Sequence, residues 1–422
     1  MKKSHFLFFA LGVLMLPACN HGTEEYVTYM TNEPVFMSVS EFRSSVDVEE
    51  PKPIEEQGKI AFYSDYLYIS QPGKGIHVID NRMPSNPRNI AFIELLGNAD
   101  MHIKGNMLYA DSFIDLVWFD ISDPAAPVLK GRKEEVFPEA LPPIENHYGC
   151  DYAQAMDRKN GIVVGWKVVE KKELVSNYNS RWHWGWGWSK ELMYTDAASS
   201  TGNSTGMVGS MSRFAIYKDY LYTILHNQLG IFDLTGETPE KVGKEVYVGD
   251  NAETIFPYKD YLFFGTPTGM IVYSVENPTE PVYMSRVIHI LGCDPVVVED
   301  DIAYVTVRSG DFCGQDVDML MVIDVKDVKH PKPIVDYAMY NPKGLGIDNG
   351  TLFVCDKGLR VFDAKDPLTL LANELAHFKE MDGLDVIPYN NVLMMIADDG
   401  IYQYDYTDVT KIKLLSVLPI GK

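Results

Sequence analysis

Four tryptophans, Trp182, Trp184, Trp186 and Trp188, alternate with His183, Gly185 and Gly187 in the stretch RWHWGWGWSK, residues 181–190. A period of two puts all four indoles on one side of an extended segment. Indole faces stack on sugar rings and on aliphatic or cationic groups, and the glycines let another surface come close. The segment reads either as a carbohydrate-stacking or partner-docking strip, or as a plug over an incomplete piece of core. The polar run AASSTGNSTG (197–206) that follows reads as a linker. A second set of residues is charged: Asp100 and His102 (NADMHI), Asp151 (GCDY), Arg213 (SMSRF), Glu253 (NAETIF), Asp294 (GCDP) and Arg308 (VTVRSG). If these converge, two carboxylates could act as general acid and base, or several oxygens could hold calcium. The competing role is structural, with Arg–carboxylate pairs locking neighbouring elements together. The sequence has no Asp-x-Asp-x-Asp loop, no HEXXH and no nucleophile elbow, and its glycine turns GKGIHV and GLGIDNG lack a following helix. No metal or other cofactor is therefore expected, with calcium the one ion the charges leave open.

The elements that must position these residues come from a repeat. A short apolar strand ends on a polar stop and runs into a turn, proline-marked in nearly every case, at Asp80, Asp120, Asp233, Ser274, Asp324, Asp363 and Asp405. The successive spacings are 40, 113, 41, 50, 39 and 42 residues. Each anchor is preceded by a second strand, such as DYLYIS (65–70), NMLYAD (106–111), DYLYTI (219–224) or DIAYVT (301–306). An Asp or Asn in front of that strand, tolerant of left-handed backbone, suits a tight hairpin. One further strand lies upstream and another follows the turn, so each unit of about forty residues has the four strands of a β-propeller blade. The recurring aspartates read as turn caps that accept backbone N–H bonds, because a catalytic residue is needed only once.

The strand ends GIHVID, LVWFDI, LMVIDV and LRVFDA resemble the LVIVD repeat of bacterial and archaeal surface proteins, over about residues 57–419. MIVYSV and IYQYDY depart from it. The resemblance implies an all-β chain folded as a single β-propeller over 57–422, and says little of activity. The long spacing holds one more unit, starting at GCDYAQAMDRKNGIVVGWKVVEKKEL (149–174), and an insertion at about 175–210. The expectation is eight four-stranded blades, one of them degenerate; seven blades with a larger insertion is the alternative. Strands running from the centre outward would place the charged residues above at the mouths of the inner strands, on one face around the central channel.

Lys2 and Lys3 precede the apolar run Phe6–Leu16, too short to span a bilayer, and then comes LPAC ending at Cys19. This resembles the lipobox of bacterial lipoproteins, with Pro17 a departure; the resemblance implies a signal peptide over 1–18 and a lipid on Cys19. Glu24 and Glu25 resemble a surface-export signal. Residues 19–56 then form a tether, whose strand-like PVFMSVSEF (34–42) could add an outer strand to a blade. The 37 basic and 59 acidic residues give a net charge of −22, against a nucleic-acid footprint. In an oxidising compartment Cys150, Cys293, Cys313 and Cys355 are disulfide candidates; Cys293 with Cys313 is the nearest pairing in sequence, and four reduced, buried cysteines is the alternative. Cys355, in the apolar LFVC, reads as core. The reading of function is a non-catalytic lipoprotein at the outer membrane or cell surface, held to the membrane by its lipid, that binds an extracellular glycan or surface protein. A glycan-degrading enzyme with its site in the channel, and a structural part of an envelope complex, are the alternatives.

Overall fold

The computed structural model describes residues 25–56, 58–146, 148–182, 212–225, 227–249, 252–288, 295–308 and 317–421. Their strands form seven antiparallel sheets in radial succession, spanning residues 47–94, 101–133, 214–247, 254–288, 296–338, 345–378 and 383–419. These are blades 1 to 7 of a β-propeller. The eighth, degenerate blade does not form. Its strand, Ile162–Leu174, pairs over its whole length with Tyr26–Met37, from the segment expected to be a tether. That pairing yields a two-stranded ribbon outside the ring, so the larger insertion, here residues 134–213, is what the long spacing contains.

Each blade follows one local logic. The turn between first and second strand carries residues with left-handed backbone at Ser64, Gly105, Lys218, Lys259, Asp300, Asp301, Asn349, Gly350, Asn390 and Asn391, the requirement of a two-residue hairpin. The third strand then ends on its anchor, whose side-chain oxygen accepts the N–H two residues on: Arg82 to Asp80 (3.2 Å), Ser122 to Asp120 (3.0 Å), Thr235 to Asp233 (2.8 Å), Glu276 to Ser274 (3.3 Å), Lys326 to Asp324 (2.9 Å), Lys365 to Asp363 (3.1 Å) and Thr407 to Asp405 (2.9 Å). All seven anchors are turn caps. In six blades the fourth strand is bulged against the third, at corresponding positions, which adds twist to the outer edge. Blade 3 differs: its outer strand is broken into Glu240–Lys241 and Val246–Tyr247.

The core lies between blades, as side chains of successive sheets interleave. Polar contacts repeat there too. Lys104 of blade 2 reaches Asp219 of blade 3 (2.6 Å), Lys218 and Tyr217 reach Asp260 of blade 4, and Lys259 and Tyr258 reach Asp301 of blade 5. The ring closes where Ile60, Phe62 and Ile69 of blade 1 pack on Ile387, Met394 and Ile396 of blade 7. Burying each such side chain contributes roughly 1.5–3 kcal/mol. Asn81 and Gln403 exchange two amide hydrogen bonds, of 2.9 and 2.8 Å, across the same seam.

The N-terminal segment straps the ring. After the ribbon strand, helix Val39–Ser44 lays Phe42 against Phe113 and Ile114, in the turn between the second and third strands of blade 2. Arg43 and Arg132 both bond the wholly buried carboxylate of Asp115 (2.8 and 3.0 Å), which also accepts the N–H of Glu135 (2.9 Å). The outer strand added to blade 1 is Asp47–Glu49, and the expected PVFMSVSEF strand is divided between ribbon and helix.

Candidate functional site: the channel mouth

Every inner strand starts at the same face of the ring, so the residue one step before it lies at the mouth of the channel. In blades 1 to 4 those residues are Lys59, Asp100, Arg213 and Glu253. Asp100 is wholly buried. It accepts the Ser212 hydroxyl on both oxygens (2.8 Å each), the Arg213 N–H (2.7 Å) and its own Met101 N–H (2.8 Å). These bonds join blade 2 to blade 3. The join to blade 1 runs from the Ser70 hydroxyl to Asn98 (2.7 Å), whose amide donates to Asp111 (3.1 Å). Asp111 also accepts the N–H groups of Ala99 (2.7 Å) and Asp100 (2.9 Å), and lies 3.9 Å from the Arg213 guanidinium.

Burial dominates the electrostatics. It pushes the Asp111 carboxyl up to about 6, against the pull of Arg213 and the backbone N–H groups. It pushes the Lys59 ammonium down to about 8, while the carboxylates of Asp100, Asp385 and Asp111 hold the charge and Arg213 opposes it. Asp385, wholly buried, closes the set from blade 7. Its carboxylate sits so near Gly344 of blade 6 that a side chain there would start 2.0 Å from Oδ1. The bonds of Asp100 to Ser212 and Arg213 tie blade 2 to blade 3, and the arrangement works as a lock between sheets.

The expected site residues divide as follows. Asp100 and Arg213 come together. Glu253 and Arg308 are partly buried at the same rim. His102 is buried, with its ring 3.3 Å from the Ile103 carbonyl, and burial holds it neutral, down to about 4. Asp151 is not at the mouth: it caps the short helix Tyr152–Ala155 in the insertion by accepting the Gln154 N–H (3.0 Å). Cys19, Cys293, Asp294, Cys313, Trp184, Trp186 and Trp188 lie outside the described residues, as does the side chain of Trp182. Cys150 and Cys355 are buried free thiols. Among the described residues no three of His, Cys, Asp and Glu converge as a metal site, and no helix is long and apolar enough to cross a membrane. Lys59, Asn98, Asp111, Ser212 and Asp385 were not singled out from sequence. Lys59 had a usable signal, since GKIAFY aligns with SRFAIY and places Lys59 where Arg213 stands.

The family model described as LVIVD repeat matches residues 57–94 and 97–134, which are blades 1 and 2. No curated protein matches the chain. Among solved structures, Kluyveromyces lactis Hsv2 with loop 6CD replaced by a Gly-Ser linker is similar at 10% identity and a TM-score of 0.47, covering 87% of this chain and 99% of that one. BamB from Moraxella catarrhalis is similar at 8% identity and a TM-score of 0.46, covering 89% and 99%. The chain is thus similar to LVIVD-repeat proteins over two of its seven blades.

Proposed function

We propose that this is a non-catalytic, lipid-anchored binding protein of the outer cell envelope, which recognises a surface glycan or a surface protein on the mouth side of its propeller. The observation that carries the reading is the commitment of Asp100 to Ser212 and Arg213 across a blade seam. It supports reading the channel charges as holding the ring, with recognition left to the parts of the chain that depart from the repeat. Chief among these are the insertion 134–213 and the tryptophan-rich stretch that follows helix Val175–Trp182. Indole rings suit sugar faces and apolar protein surfaces alike.

A glycan array probed with the full chain tests the reading. Retention that disappears when Trp182, Trp184, Trp186 and Trp188 are all changed to alanine, at unchanged melting temperature, is the expected result. Release of cleaved glycan by the wild-type chain would overturn it in favour of an enzyme. Labelling with a radioactive fatty acid, lost in Cys19→Ser, is expected for the anchor.

A further inference from the structure

We propose that the cleft on the mouth side of the seam between blades 2 and 3 binds a neutral sugar ring. The inference names a ligand class for the binding role above and rests on that role. The cavity measures about 300 Å³, between the segment 135–139 and the second and third strands of blade 3. That is the lower end of the size of small-molecule sites.

Two residues make this cleft, and both break the repeat. Gly230 occupies a third-strand position at which the other six blades carry His77, Val117, Ile271, Met321, Arg360 and Tyr402. A Cβ there would lie 2.8 Å from the Thr223 hydroxyl and 3.3 Å from the Phe232 ring, so the missing side chain is the floor of the cavity. Thr223 pairs directly with Gly230 in register. The other six blades place an apolar residue at its position: Ile69, Ala110, Phe264, Val305, Val354 and Met395. Thr223 is only 3% exposed and lines the cavity, so its hydroxyl is a polar group at a position where every other blade is apolar.

Glu135, Glu139, Lys241 and Glu245 line the cleft. Glu245 pairs with Lys241, and Glu135 lies 3.8 Å from the Arg43 guanidinium. The acidic lining disfavours an anion, and Gln228, the Thr223 hydroxyl and these carboxylates offer donors and acceptors to sugar hydroxyls. Tyr247 at the rim is 70% exposed. Its ring supplies the flat apolar surface that the C–H face of a pyranose needs.

The test is saturation-transfer NMR on the full chain in detergent, with the methyl glycosides of glucose, galactose, mannose and N-acetylglucosamine as probes. At least one should bind. Gly230→Val, which fills the floor, and Tyr247→Ala, at an exposed position that leaves the fold intact, should each weaken binding about tenfold or more. Failure of all four glycosides to bind, or binding that survives both substitutions, overturns the cleft. Binding that survives both but is lost in the four-tryptophan variant overturns the cleft while leaving the proposed function standing.

Discussion

The two faces of the ring are built from the same strands and differ in kind. On the face opposite the mouth, one arrangement recurs: a left-handed hairpin, a capping side chain after every third strand, and a Lys/Tyr-to-Asp contact carried from blade 2 to blade 5. On the mouth face almost nothing recurs. Lys59, Asp100, Arg213 and Glu253 occupy one equivalent position with charges of alternating sign, and the strap, the ribbon and the blade 2–3 cleft all lie on that side. Repetition marks what every blade needs in order to fold, whereas single departures mark what one place needs in order to act or to lock.

This contrast predicts unequal costs. Asp100→Ala strips a partner from the buried Ser212 hydroxyl and Arg213 N–H and a counter-charge from Lys59; it should cost about 3 kcal/mol in urea unfolding. A loss below 1 kcal/mol would break the claim that the mouth is a lock. Lys59 gives the next effect, and its sign follows from burial. The folded ammonium titrates at about 8, below the unfolded value of about 10.4, so between these the unfolded chain holds more protons. Stability should therefore rise as pH goes from 8 to 9.5, relative to Lys59→Met, whose profile lacks this contribution. Equal slopes would show that Lys59 is solvated. The groups facing it, Asp100, Asp111, Asp385 and Arg213, are unchanged in the comparison. On the opposite face single losses should be small. Asp324→Ala removes one turn-capping bond for about 1 kcal/mol, and Lys259→Ala removes an exposed ion pair for about 0.5 kcal/mol, fading in high salt.

What could be read from the sequence followed the same division. The Asp caps and hairpins were legible because each repeats at a fixed offset, and local hydrogen bonds within three residues explain them. Residues 149–174 read as part of a blade in the sequence because an alternating strand looks the same whichever partner it finds. Its partner, Tyr26–Met37, lies more than a hundred residues away, and nothing in either segment encodes the meeting. Asp111 and Asp385 escaped for a related reason. Their importance comes from neighbours in other blades, so no local pattern distinguishes them from the surface carboxylates of an acidic chain. Gly230 and Thr223 were visible as letters, and only the register Thr223↔Gly230 shows that the two omissions face one another.

The seam between blades 1 and 7 has a consequence for how the chain is made. No strand crosses it: every main strand of blade 7 comes after residue 382, and blade 1 is complete by residue 94. Blades can form in the order in which they leave the ribosome, each against the one before. Until the last forty or so residues arrive, Ile60, Phe62 and Ile69 face water. A chain stopped short of blade 7 would be an open arc with a greasy end, prone to stick to its neighbours and an early target for proteases.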